Sequence, residues 1–95
     1  MSSLIEGNPW IWVYIQGEVG NEQYLGQYDE ENRISFIPGF LTRDDALKAF
    51  GLMKKEKNTP SEVQAVRFKE LQKDATANGF LIFILDGEGK IQEKI

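Results

Sequence analysis

The most strand-like part of this sequence is an apolar run near its C-terminus, Phe80-Leu81-Ile82-Phe83-Ile84-Leu85. A strand that is apolar on both faces is covered on both sides, so this run predicts a central strand of a sheet. Turn signals flank the run. Asn78-Gly79 before it is typical of a helix end, and Asp86-Gly87-Glu88-Gly89 after it is typical of a hairpin. The hairpin predicts a last strand over Lys90 to Lys94.

A second strand is predicted over Trp10-Ile11-Trp12-Val13-Tyr14-Ile15, where every residue is β-branched or aromatic. Residues 1–9 before it form a polar lead-in. Side chains alternate along a strand, so Trp10, Trp12 and Tyr14 point to one face. Two interpretations of that face stay open. It is a surface that binds a partner, or it is core beneath the helices.

Two further strands are predicted between this segment and the first helix. Gln23 to Asp29 is the first of them, with Tyr24 and Tyr28 on one face. Arg33 to Ile37 is the second, and we expect Pro38-Gly39 to end it because proline cannot donate to a central ladder.

The first helix has a clear start. Thr42 is a good N-cap, and Asp44 and Asp45 lie in the first turn, where the helix dipole favours negative charge. The segment from Glu62 to Arg67 is either the start of a long helix or a short strand followed by a helix over 68–78. We prefer the strand, because Val63 and Val66 fall off the apolar stripe of the helix.

These elements give the order β-β-β-α-β-α-β-β in a single domain over residues 1–95. The predicted fold class is α+β, with a mostly antiparallel sheet and two helices packed on one face.

Composition restricts the chemistry. The chain has 95 residues and neither Cys nor His. Thiolate nucleophiles, catalytic triads with His and cysteine-based metal sites are therefore excluded within one chain. We predict no metal and no cofactor.

The N-terminal segment has no basic or long apolar region, and no run is long enough to span a membrane, so we predict a cytoplasmic protein without membrane contact.

The charge is acidic and unevenly distributed. The net charge is −4, and residues 1–47 hold eight acids and two bases, a net of −6. This balance argues against nucleic acid as a partner. The acidic run Asp29-Glu30-Glu31 lacks the spacing of a calcium loop, so we interpret it as a solvated turn.

One stretch resembles a known family. Ile34 to Thr42 followed by Asp45-Ala46 resembles the part of SseB-like domains in which a strand leads into a helix at a Phe-Thr entry. Val66 to Leu71 and Gly79 to Ile82 are similar to that family's second helix and following strand. The element order also resembles small bacterial domains of unknown function found in cyanobacteria. The Asn-Pro-Gly turn of SseB-like domains is absent, and neither resemblance implies a catalytic residue.

The sequence therefore favours binding over catalysis. We predict a non-enzymatic protein-binding or regulatory module whose contact residues are aromatic: Trp10, Trp12, Tyr14, Tyr24 and Tyr28. The alternative is an acidic inhibitor or immunity-type protein that masks a basic enzyme surface. A third hypothesis is an enzyme that works with carboxylates, Lys or Tyr alone. A homodimer that pairs the last strand of two copies is a further hypothesis.

Overall fold

A computed structural model describes residues 5–18, 20–55 and 59–95 of the chain. Within these ranges it has seven strands and two α-helices: β1 (Trp10–Gln16), β2 (Gln23–Tyr24), β3 (Gln27–Asp29), β4 (Ile34–Phe40), α1 (Arg43–Ala49), β5 (Ser61–Arg67), α2 (Phe68–Ala77), β6 (Leu81–Leu85) and β7 (Ile91–Lys94). A 3-10 turn, Phe50–Leu52, follows α1. The α+β class and the mostly antiparallel sheet are confirmed, and so is the strand interpretation of 62–67. None of the described helices is long and apolar enough to cross a bilayer.

β1 pairs with three other strands, β2, β4 and β5. β5 pairs antiparallel with its whole length along one edge. The other edge is shared, since β2 pairs with its C-terminal end and β4 meets it at Trp12 opposite Phe40. β6 lies beside β4 in parallel, and β7 pairs antiparallel with β6. β7 pairs with no further strand of the described chain, and the homodimer hypothesis for this edge stays a prediction.

The predicted strand Gln23 to Asp29 is two strands in the structure. β2 pairs with β1, whereas β3 pairs with β4, and the chain crosses from one to the other at Leu25 and Gly26. The Leu25 N–H donates to the Tyr14 carbonyl at 2.9 Å, which holds the crossing against β1. β1 and β4 therefore diverge, and the two short strands fill the gap between them.

The prediction that Pro38-Gly39 ends a strand is wrong, because both residues lie inside β4. β3 covers this edge of β4 only as far as Phe36, and β1 contacts it again at Phe40. Pro38 lies in the interval between the two partners, where a missing N–H is tolerated. Gly39 permits close packing there, since a Cβ at this position would lie 2.9 Å from Ile11 Cγ2.

The two helices pack on opposite faces of the sheet, so the prediction that they share one face is wrong. The α1 face consists of Tyr14, Phe40, Phe83 and Leu85 packed against Ala46 and Ala49 of α1. The α2 face consists of Ile11, Val13, Ile37, Ile82 and Ile84 packed against Phe68, Leu71 and Ala75 of α2. The physical reason is visible in β1 and β6. Both strands are apolar at consecutive positions, so each face of the sheet needs a cover of its own.

The lead-in is not merely polar, although residues 1–4 lie outside the described ranges. Ile5 is buried in the core of the α2 face. Asn8 Oδ1 accepts a hydrogen bond from the Lys69 N–H at 2.8 Å, and the Pro9 carbonyl accepts one from the Phe68 N–H at 2.9 Å. Arg67 at the N-cap position of α2 makes no side-chain cap, so the lead-in caps this helix from outside.

Candidate binding site

A groove with a volume of about 850 Å³ opens on the α2 face. It lies where β1 and β4 diverge, beside the C-terminal half of α2. Its apolar walls are Ile15, Ile37, Val66 and Phe80, together with the rings of Tyr24 and Tyr28. Uncharged polar residues border it: Gln16, Gln23, Gln27, Ser35, Gln64 and Asn78. Apolar walls with a few convergent polar groups are typical of ligand sites.

Tyr24 joins the sheet to α2 at this groove. Its hydroxyl donates to Asp74 Oδ2 at 3.1 Å. Burial of the ring, then the hydrogen bond and the charge of Asp74, and finally the charge of Glu70, raise the pKa of Tyr24 to about 12. The hydroxyl is therefore protonated at neutral pH and acts as a donor, which fixes one oxygen of the Asp74 carboxylate.

Gly26 shapes the floor at the crossing between β2 and β3. A Cβ there would lie 2.8 Å from Phe80 Cε1, so the absence of a side chain lets the Phe80 ring lie against the backbone. The next residue is fixed as well. Gln27 exchanges two hydrogen bonds of 2.9 Å with the backbone of Lys54 and donates a third to the Gly26 carbonyl.

Gln16 differs from Gln27 because its amide oxygen is not satisfied. Gln16 lies at the end of β1 and is 9% exposed, and its side chain alternates with Tyr14 toward the α1 face, away from the groove. Its Oε1 atom is buried and has no hydrogen-bond partner among the residues that the structure describes. An unsatisfied buried polar atom costs about 1–3 kcal/mol, so Gln16 lowers the stability of this end of β1.

A second depression of about 430 Å³ adjoins the groove and shares Ile15 and Glu22 with it. Glu18 and Glu62 also line it. The groove itself adds Asp74, so the two depressions contain four carboxylates. Lys and Arg are absent from the described residues that line either one. The combined surface is therefore acidic and attracts positive charge.

The other acidic segments of the sequence close turns. The Asp29 carboxylate accepts hydrogen bonds from the side chain and the N–H of Asn32 and from the Glu31 N–H, and these bonds lower its pKa. Asp86 accepts from the N–H groups of Lys90 and Glu88, which lowers its pKa in the same way. No group of three acidic side chains in the described chain is placed to hold a metal ion.

The five predicted contact residues do not form one surface. Trp10, Trp12 and Tyr14 point to the α1 face, as their spacing predicts. Tyr14 is fully buried, donates to the Ala46 carbonyl and packs against Phe40 and Phe50, so it is a core residue. Trp12 is half-buried against the same core. Trp10 is 54% exposed, with the Arg67 guanidinium 4.2 Å from its ring centroid.

Tyr24 and Tyr28 lie on the opposite face, where both line the groove, and Tyr28 is 54% exposed. Two groove residues, Phe80 and Asp74, were not predicted as site residues from the sequence. Glu70, Asp74 and Asn78 recur at every fourth residue of the helix, which is a signal for one polar side of α2. No comparable signal identifies Gln16, since its burial depends on the pairing of β1 with β2 and β5.

Comparisons with known proteins add no relative. No model of a protein family matches the chain, and neither a curated protein nor a solved structure matches it. The resemblance to SseB-like domains therefore stays a prediction.

Proposed function

We propose that this chain is a non-enzymatic binding module and that its groove on the α2 face holds a segment of a partner protein. The groove itself carries the proposal. It combines exposed aromatic area, supplied above all by Tyr28, with amide side chains that can exchange hydrogen bonds with a peptide backbone. A sequence without cysteine suits a reducing compartment, which supports a cytoplasmic location.

The experiment is a selection of displayed peptides on the immobilised protein, followed by affinity measurements with two matched variants. Tyr28 and Trp10 are equally exposed, at 54%, on opposite faces of the sheet. We expect Tyr28→Ala to weaken the selected peptides about tenfold or more, the effect of losing a hot-spot ring, and Trp10→Ala to leave affinity unchanged. Equal effects of the two substitutions would overturn the proposal. Backbone amide shifts on titration, confined to the groove residues, would support it independently.

The alternative is an acidic inhibitor or immunity-type protein that masks a basic enzyme surface. The specific observation in its favour is the acidic lining of the two adjoining depressions. An inhibitor of this kind associates fast, and its association rate falls steeply with salt. A partner enzyme whose association rate does not change with ionic strength would exclude this alternative, while the binding proposal would stand.

A further inference from the structure

We propose that β5 pairs with the β5 of a second copy, so that two chains form one continuous antiparallel sheet. This self-association is independent of the function proposed for the groove. Among the described strands, β5 pairs with β1 alone, in one unbroken register over all seven of its residues. Its other edge is therefore a template for a further strand. The opposite end of the sheet is β7, so these two strands are the outer edges to compare.

The backbone groups of β5 alternate between its two edges. The N–H of Phe68, directly after the strand, donates to the Pro9 carbonyl at 2.9 Å and extends the ladder with β1 by one pair. In an antiparallel ladder, pairs that exchange hydrogen bonds alternate with pairs that do not. The even-numbered residues of β5 therefore bond to β1. The N–H and C=O groups of Ser61, Val63 and Ala65 point away from β1, toward the outer edge.

A two-fold axis through Gln64 pairs β5 with its copy over the full length of the strand. Gln64 then lies opposite Gln64, and Val63 of each copy lies opposite Ala65 of the other. The outward-pointing groups of Val63 and Ala65 meet in this register, so the two copies exchange backbone hydrogen bonds there. Glu62 lies opposite Val66, and no residue of the strand faces a like charge.

β7 has the opposite features. It has four residues, and its register with β6 is irregular. The Ile95 N–H donates to β6 at 2.8 Å, so Gln92 and Lys94 are the residues whose backbone groups point outward. With Gln92 opposite itself, Lys90 faces Lys94. With Gln92 opposite Lys94, Glu93 faces Glu93, and with Lys94 opposite itself the clash is direct. Like charges directly opposite each other destabilise a sheet, so we move the predicted homodimer from β7 to β5.

The second copy also covers apolar area on the α1 face. Val63 and Ala65 are half-buried there, and so is Trp12, which lies opposite Ala65 in the ladder with β1. In the paired sheet, Val63 of one copy lies beside Ala65 of the other, one strand away from its Trp12. An edge contact of this length lies at or below the lower limit of about 1,200 Å² for standard interfaces, so we expect dissociation in the micromolar range.

Sedimentation velocity of the full chain, from about 10 μM to about 1 mM, measures the self-association. We expect the mass to rise with concentration from 10.9 kDa toward twice that value. Gln64→Glu places two carboxylates opposite each other at the two-fold axis, and Gln64→Lys places two ammonium groups there. Each substitution should weaken the dimer about tenfold. Mixing the two variants should restore it, because the facing charges are then opposite.

Gln92→Glu is the matched control, since Gln92 is an exposed glutamine of the other outer strand. It should leave the dimer unchanged. Amide hydrogen exchange gives a second readout within one molecule. Protection of the Val63 and Ala65 amides should rise with protein concentration, whereas protection of Gln64 and Val66, which bond to β1, should change little.

Three results would overturn the inference. A mass that stays at 10.9 kDa up to about 1 mM excludes the dimer. A dimer that Gln92→Glu weakens and the Gln64 variants do not lies at β7 instead. A dimer that both Gln64 variants weaken and their mixture does not restore has another register. The groove is tested separately, because peptide affinities are measured at concentrations at which the chain is a monomer.

Discussion

The two faces of the sheet each use a tyrosine to hold a helix, yet only one face leaves a groove. On the α1 face, Tyr14 donates to the backbone carbonyl of Ala46 and is sealed by Phe40 and Phe50. On the α2 face, Tyr24 donates to the carboxylate of Asp74 beside open space. A backbone carbonyl can be buried with its one donor. A carboxylate needs further partners, which water or a ligand must supply.

The difference in side-chain size reinforces this contrast. Aromatic rings fill the α1 face, where Phe36 and Phe83 stack with their centroids 4.5 Å apart. The α2 face is lined by isoleucine and valine, and the divergence of β1 from β4 is not fully covered by the ten residues of α2. One face is therefore packed for stability, and the other retains polar groups beside open space.

The largest expected effect tests the contrast in packing. Phe40→Ala on the α1 face should lower the free energy of unfolding by about 3–5 kcal/mol, because it opens a cavity among rings that cannot collapse. Phe80→Ala at the groove should cost about half of that or less, since its ring is already partly exposed. Urea unfolding with unchanged m-values checks both. Equal losses would show that the groove is packed as tightly as the core.

A smaller effect tests the two hydroxyl groups. Tyr14→Phe removes the donor to the Ala46 carbonyl in a dry site and should cost about 1–3 kcal/mol. Tyr24→Phe should cost less than about 1 kcal/mol, because water can solvate the exposed Asp74 carboxylate that loses its partner. Thermal unfolding of both variants at one pH gives the comparison. A larger loss for Tyr24→Phe would reverse the assignment of the faces.

Local signals were enough to predict much of the fold. Thr42 caps α1, with its Oγ1 accepting from the Asp45 N–H at 3.1 Å, because capping depends on neighbouring residues only. The off-stripe valines identified β5, and the doubly apolar run identified β6 as a strand with partners on both edges. In each case the pattern that predicts the element lies within the element itself.

The errors concern relations between distant segments. The strand through Pro38 and the division of Gln23 to Asp29 both depend on where β1 and β4 separate, which no local pattern records. The alternation of side chains along a strand predicted that Tyr24 and Tyr28 share one face of the sheet. It could not place them on the face opposite Trp10, because that requires the register of Ile15 against Tyr24. The groove follows from the same pairing, so it could not be predicted either.

The smallest expected effect is on the titration of Tyr24, and it separates the contribution of Asp74 to the raised pKa from that of burial. Asp74→Asn removes the charge that opposes ionisation, so the pKa of Tyr24 should fall from about 12 but stay above 10.0, because burial is the larger cause. Asp44→Asn, an exposed acid on the other face, should leave the pKa unchanged. The ring-carbon chemical shift of Tyr24 reports the ionisation.

The sign of the accompanying stability change follows from linkage. The folded pKa of Tyr24 lies above its ordinary value of 10.0, so the fold favours the protonated hydroxyl. The contribution of this group to stability is full below pH 10.0 and declines as the pH rises toward about 12. Asp74→Asn should narrow that window, so the variant loses less stability than the wild type between the two values. A pKa of Tyr24 that Asp74→Asn leaves unchanged would show that the carboxylate at the groove does not restrain the tyrosine, and the contrast with the sealed Tyr14 would then rest on packing alone.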